Sequence, residues 1–141
     1  MDIKALDKAI LGIVHKRAEL NKLDYSHPDY DKVEDDLHDL EDEFNDQYGD
    51  AFEEIIEDIH DEIDSDSEAL LPTAYLAKSY VIAGKTSDGS ESYDISFKEG
   101  VFIDSLKYPD KEVRLALVPA PTRFLLLVDG KKKEIVWQAG K

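Results

Sequence analysis

Apolar residues recur every three or four positions as far as Ile63 and every second position from Tyr75 onward, so the chain divides into a helical half and a strand half. Ile3, Leu6, Ile10, Ile13 and Leu20 form a heptad-like seam interrupted only at Arg17 and widened by Ala9 and Val14. This spacing predicts helix 1 from about Asp2 to about Leu23. Asp2 lies at the positive end of its dipole and Lys16, Arg17 and Lys22 at the negative end, so these charges need no partner. Asp24 to Pro28 is a short connection, with Ser26 or His27 as the expected N-cap of helix 2 and Pro28 in its first turn. So short a link implies an antiparallel hairpin.

Helix 2 carries Tyr30, Val33, Leu37, Leu40, Phe44, Tyr48, Phe52, Ile55, Ile59 and Ile63 at the same spacings. The phase slips between Phe44 and Phe52, and Gly49, which costs about 1 kcal/mol in a helix interior, falls inside the slip. One continuous, bent helix is the expectation; a break at Gly49 is the alternative. At 1.5 Å per residue helix 1 is roughly 33 Å long and the Asp29 to Asp64 stretch about 54 Å, so helix 1 cannot cover its partner. Phe52, Ile55, Ile56, Ile59 and Ile63 therefore require cover from the β half or from a second copy of the chain.

Asp64 to Glu68 and Leu71-Pro72 break the helical pattern. Strands are expected at Tyr75 to Ala83, Glu91 to Lys98, Val101 to Ser105, Glu112 to Val118, Arg123 to Val128 and Lys132 to Gln138. Turns fall at Ser87-Asp88-Gly89, Glu99-Gly100, Tyr108-Pro109-Asp110, Pro119-Ala120-Pro121 and Asp129-Gly130, the last a type I′ hairpin signal. Tyr93, Ile95 and Phe97 alternate with polar residues, as for a sheet covered on one face. The expected fold is α+β, with an N-terminal antiparallel helical hairpin (residues 1–68) packed on a C-terminal antiparallel β-meander of five or six strands (residues 69–141) as one compact unit. A hairpin that dimerises through helix 2 into a four-helix bundle is the alternative.

Charge sharpens this picture. From Asp24 to Glu68 the chain carries 21 Asp and Glu residues against Lys32 alone, a net −20, while the flanking segments are each +2. The acids share a segment with a regular apolar stripe, so they read as the outer face of a folded helix. Such a surface repels phosphates, which makes direct nucleic-acid binding by the helical half improbable and a basic partner protein the natural counterpart. With no cysteine, disulfide, thiolate and cysteine-ligated metal chemistry is excluded. The longest apolar run, Phe124 to Val128, is far short of a membrane span, and the first residues lack the basic and apolar blocks of a secretory signal. A cytoplasmic setting without membrane contact is expected.

Candidate chemistry is sparse. Glu57 and His60 form an E-x-x-H pair, the spacing used in di-metal helical bundles, and Asp35 and His38 repeat it. His60 falls about 100° from the seam at Ile59, and so acidic a helix produces such pairs by chance; a solvated face is the simpler reading. Asp64, Asp66 and Glu68 imitate the opening of a calcium loop, but Ala69 stands where its Gly is required and Tyr75 where its bidentate Glu is required. Glu57, His60 and Asp64 thus remain weak metal candidates, with a metal-binding protein or enzyme built from paired hairpins as the competing function. No nucleophile elbow or phosphate-cradling glycine motif occurs, Gly89-Ser90 reads as a turn, and no cofactor is implied. Lys131, Lys132 and Lys133 read as a charged hairpin edge that discourages strand aggregation and that could face the acidic helix. Asp58, Asp61, Glu62 and Asp64 crowd the negative end of helix 2, so that end either frays or meets a positive group. The leading expectation is a non-enzymatic protein that meets a basic partner through Asp35, Asp39, Asp42, Asp46, Glu53 and Glu57.

Overall fold

A computed structural model describes residues 2–85, 89 and 91–140. Helix α1 (Ile3–Asn21) begins where the Asp2 carboxylate accepts the Ala5 N–H at 3.1 Å, and it buries Leu6, Ile10 and Ile13. Helix α2 (Tyr30–Glu62) is a single helix of 33 residues, about 50 Å long, that runs through Gly49. Its burial of Phe44, Tyr48, Phe52, Ile56 and Ile59 outweighs the propensity of one glycine. A methyl group at Gly49 would meet nothing within 4 Å. Gly49→Ala is therefore expected to raise stability by about 1 kcal/mol. An unchanged or lower urea midpoint would contradict an unstrained helix at this position.

Neither Ser26 nor His27 caps α2. The helix starts two or three residues later, with Asp29 at the N-cap position and Pro28 outside the first turn. The intervening residues are held in turns of their own: Asp24 accepts the Ser26 N–H at 3.0 Å and its hydroxyl at 2.7 Å, and His27 Nδ1 accepts the Asp29 N–H at 3.1 Å. Local side-chain acceptors have captured donors that a helix start would otherwise use.

The β half differs from one meander. A 3₁₀ turn, η1 (Pro72–Tyr75), occupies the start of the first expected strand, with Pro72 in its first turn. Strands β1 (Val81–Lys85) and β2 (Glu91–Asp94) make a separate two-stranded sheet. Ser87, Asp88 and Ser90, where its turn was expected, lie outside the described residues. Strands β3 (Val101–Ile103), β4 (Val113–Val118), β5 (Arg123–Val128) and β6 (Lys132–Gln138) form the antiparallel meander, in spatial order β3-β4-β5-β6. The β5–β6 turn has the two positive φ angles of its predicted type, 55° at Asp129 and 67° at Gly130.

The four-stranded sheet is apolar on both faces. On one, Leu115, Leu117, Phe124, Leu126 and Val128 pack with both helices and Tyr75. Within that core Phe52, Ile56, Ile59 and Ile63 of α2 are buried and Ile55 is half-buried, so the β half supplies the cover that the stripe required. On the other face Ala116, Val118, Leu125 and Leu127 pack with Ala77 and Ile95, flanked by Tyr80, Tyr93 and Phe97. The second sheet is separate because its segment crosses over to lie on that other face. Tyr75 and Ala77, two residues apart, belong to opposite clusters, and between them Leu76 bridges to Leu117 in parallel at the sheet edge. Arg123 fastens the crossover, donating to Tyr93 O at 2.6 Å and to Pro121 O at 2.8 Å.

Candidate functional site

The carboxylates of interest are placed by the helix whose inner side fills the core. At about 100° per residue, Asp35, Asp39, Asp42, Asp46, Glu53 and Glu57 fall within a sector roughly 60° wide, opposite Phe44, Tyr48 and Ile59, and spread over about 33 Å of axis. All six are exposed. Among the described residues none of them forms an ion pair, and the ion pair that α2 does make, Arg17 with Glu41 at 3.3 Å, lies on its inner side. Arg17, the break in the helix 1 seam, is thereby explained: its guanidinium also reaches Thr73 O at 3.4 Å, tying both helices to η1.

Of the lysine hairpin, Lys132 and Lys133 turn to the β half. Lys133 donates to Ile95 O at 2.7 Å, pairs with Asp94 at 3.3 Å and lies 4.8 Å from the centre of the Phe97 ring. Lys132 lies 3.8 Å from Glu134. Both side chains are committed within the β half, on the far side of the sheet or along β6, where Glu134 also accepts the Tyr108 hydroxyl at 2.8 Å.

The crowded end of α2 is closed by hydrogen bonds from its own chain. Ser65 N–H donates to His60 O at 2.8 Å and Asp64 N–H to Asp61 O at 3.4 Å, with Asp64 in the left-handed region at φ 53°. These are the two bonds of a Schellman motif, with Asp64 where glycine is usual. The segment after β3 supplies further donors: the Ser105 hydroxyl and the Lys107 N–H reach Ile63 O, and the Leu106 N–H reaches Asp64 O at 3.0 Å. Asp64→Gly should stabilise the protein by about 1 kcal/mol, since it removes both a left-handed side chain and a negative charge at the helix end. A urea midpoint that fails to rise would contradict this assignment of the cap.

Asp64, Asp66 and Glu68 are exposed, and among the described residues no three such side chains gather as a calcium loop requires. The loop is organised instead around Asp104, which sequence reasoning missed because it lies 37 residues beyond Ser67. Its carboxylate accepts from the Ser65 hydroxyl at 3.0 Å, from the Asp66 N–H at 3.3 Å and from the Ser67 hydroxyl. Those donors, the Ser67 hydroxyl foremost, hold its pKa below the ordinary aspartate value.

His60 departs most from expectation. It lies on the same side of α2 as the acids, yet it is only 4% exposed, with the Ser67 backbone of the following loop and Asp104 against its ring. Its Nε2 is buried and has no hydrogen-bond partner among the described residues. His38 and Glu57, by contrast, are exposed. Among the described residues no three His, Asp or Glu side chains form a group that could hold a metal ion.

Elsewhere polar groups fasten one element to another. Asp7 of α1 accepts the Thr122 N–H at 2.9 Å and also its hydroxyl, which ties the helix to the β4–β5 turn. The Tyr80 hydroxyl donates to Leu117 O at 2.8 Å and accepts the Ala77 N–H at 2.8 Å, and burial raises its pKa. A groove of about 330 Å³ between α1 and α2 is lined largely by Ala5, Ala9, Gly12, Leu40, Phe44 and Tyr48. Lys8 and Glu43 are its charged groups. Among the described residues no helix is long and apolar enough to cross a membrane. The chain is α+β in class, and it matches no protein-family model, no curated protein and no solved structure with which it was compared.

Proposed function

We propose that this is a non-enzymatic cytosolic protein that works by protein–protein contact, with the outer face of α2 receiving a basic partner. The observation that carries the reading is the set of exposed carboxylates Asp35, Asp39, Asp42, Asp46, Glu53 and Glu57, which line one side of a continuous helix without a counter-charge among the described residues. The opposite side of α2 is anchored in the core, so the carboxylates stand on a rigid element. Rigid display reduces the entropy lost on association, and an uncompensated row of charge steers an oppositely charged surface in a salt-dependent way.

The same repulsion argues against a nucleic-acid ligand on this face. A protein with a phosphate-binding groove is one partner whose chemistry fits. The test is capture from the native cell extract at low and at high salt. A set of basic proteins retained at low salt and released at high salt is expected, and a bound set identical at both would refute electrostatic recognition.

A further inference from the structure

The end of α2, the loop that follows it and the segment after β3 are joined as a clasp. Leu106 N–H to Asp64 O (3.0 Å), Asp66 N–H to Asp104 (3.3 Å), Ser65 hydroxyl to Asp104 (3.0 Å) and Asp104 N–H to the Ser67 hydroxyl (3.1 Å) are its stitches. Beneath it lies the His60 ring, with one nitrogen unpartnered. The groups that face this ring are Asp104 from the segment after β3, the Ser67 backbone from the loop, and Asp61 and Glu57 from its own helix. The Asp104 oxygens already accept three donors. A neutral imidazole fits such a place, whereas an imidazolium carries an N–H on both ring nitrogens, and the buried Nε2 meets no acceptor among the described residues.

We infer that the clasp is a proton-operated latch, closed over neutral His60 and opened when the ring takes a second proton, which frees the α2–η1 loop from Asp104. Burial holds the proton affinity of the ring below the ordinary histidine value, against the opposite pull of the Ser67 backbone, Asp104, Asp61 and Glu57. The closed form therefore binds this proton less readily than an opened or unfolded form. Its stability is complete above the ordinary histidine pKa of about 6.5 and declines as the pH falls below that value, down to the lowered pKa of the closed form. Between about pH 7 and pH 5 histidine is the titrating side chain, so acid must loosen the clasp in that window.

Amide hydrogen exchange by NMR, corrected for intrinsic rates, decides the matter. Lowering the pH from about 7 to about 5 should reduce protection of Asp66, Asp104 and Leu106 severalfold relative to Leu126, in the direction that a lowered histidine pKa in the closed form requires. In His60→Leu that loss should vanish; a loss that persists in the variant overturns the latch. Should His60→Leu not fold, the ring of the wild-type protein is titrated through its carbon-bound proton shifts. A midpoint below about 6.5 that coincides with the loss of protection supports the latch, and a ring that titrates while protection stays constant overturns it.

Discussion

Phe52→Ala will remove about 3–5 kcal/mol of stability, the cost of deleting a fully buried aromatic side chain. Phe52 is 0% exposed, and its ring centre lies 5.7 Å from Trp137, 5.9 Å from Phe44, 5.9 Å from Phe124 and 6.5 Å from Tyr48. Two of those partners are on α2 and two on the sheet, so the cavity opens at the junction of the two halves. A domain of this size is stable by about 5–15 kcal/mol in total, which leaves the variant close to unfolding at moderate temperature. Trp137 is the single tryptophan of the chain, so its emission during urea titration reports the loss directly. A shift in stability under about 1 kcal/mol would mean that α2 does not pack on β5 and β6 as described.

The second large effect concerns association. Converting Asp35, Asp39, Asp42 and Asp46 to Asn and Glu53 and Glu57 to Gln removes the charged row but keeps the shape of the helix. At low salt the association rate with a captured basic partner should fall by about 10- to 10³-fold, and the residual rate should lose its salt dependence. Stability should move the other way. Asp35 with Asp39, Asp42 with Asp46 and Glu53 with Glu57 are like-charged pairs four residues apart, each destabilising by about 0.2–0.5 kcal/mol, so the variant gains roughly 1 kcal/mol. Weaker association by a more stable protein separates a binding role from a structural one. Unchanged association would remove the acidic face as the docking surface.

The helical hairpin was legible because its information is local. Leu6, Ile10, Ile13 and the run from Val33 to Ile63 announce their buried side by spacing alone, and the length mismatch between the helices already required further cover for Phe52, Ile56 and Ile59. The strands from Val113 to Gln138 were readable for the same reason, with Asp129-Gly130 fixing their hairpin. What escaped was the layer on the second face of the sheet. Val113 to Val118 and Arg123 to Val128 contain almost unbroken apolar runs, the mark of strands buried on both sides, and that signal could have separated β1 and β2 from the meander. The alternation at Tyr93, Ile95 and Phe97 showed one covered face but not which sheet would cover it.

The candidate site divides in the same way. Exposure of the six carboxylates follows from helical periodicity, and all six are exposed. The burial of His60 does not follow from periodicity, because the loop that covers it is held by Asp104, a residue of the other half. The closure of α2 by Asp64, Ser105 and Leu106 was hidden for the same reason: the donors come from a segment about 40 residues downstream. The helix end does not fray, since backbone and hydroxyl donors reach its last carbonyls.

The account rests on α2 as one unbroken helix, with aromatic residues on its inner side seated on the sheet and carboxylates on its outer side facing water. A nuclear Overhauser spectrum of the isotope-labelled protein tests both parts at once. An uninterrupted series of sequential amide contacts from Tyr30 to Glu62, together with contacts from the Phe52 ring to the Trp137 indole and the Phe124 ring, is the predicted result. A series that breaks at Gly49, or a Phe52 ring with no contact to either sheet residue, would contradict it.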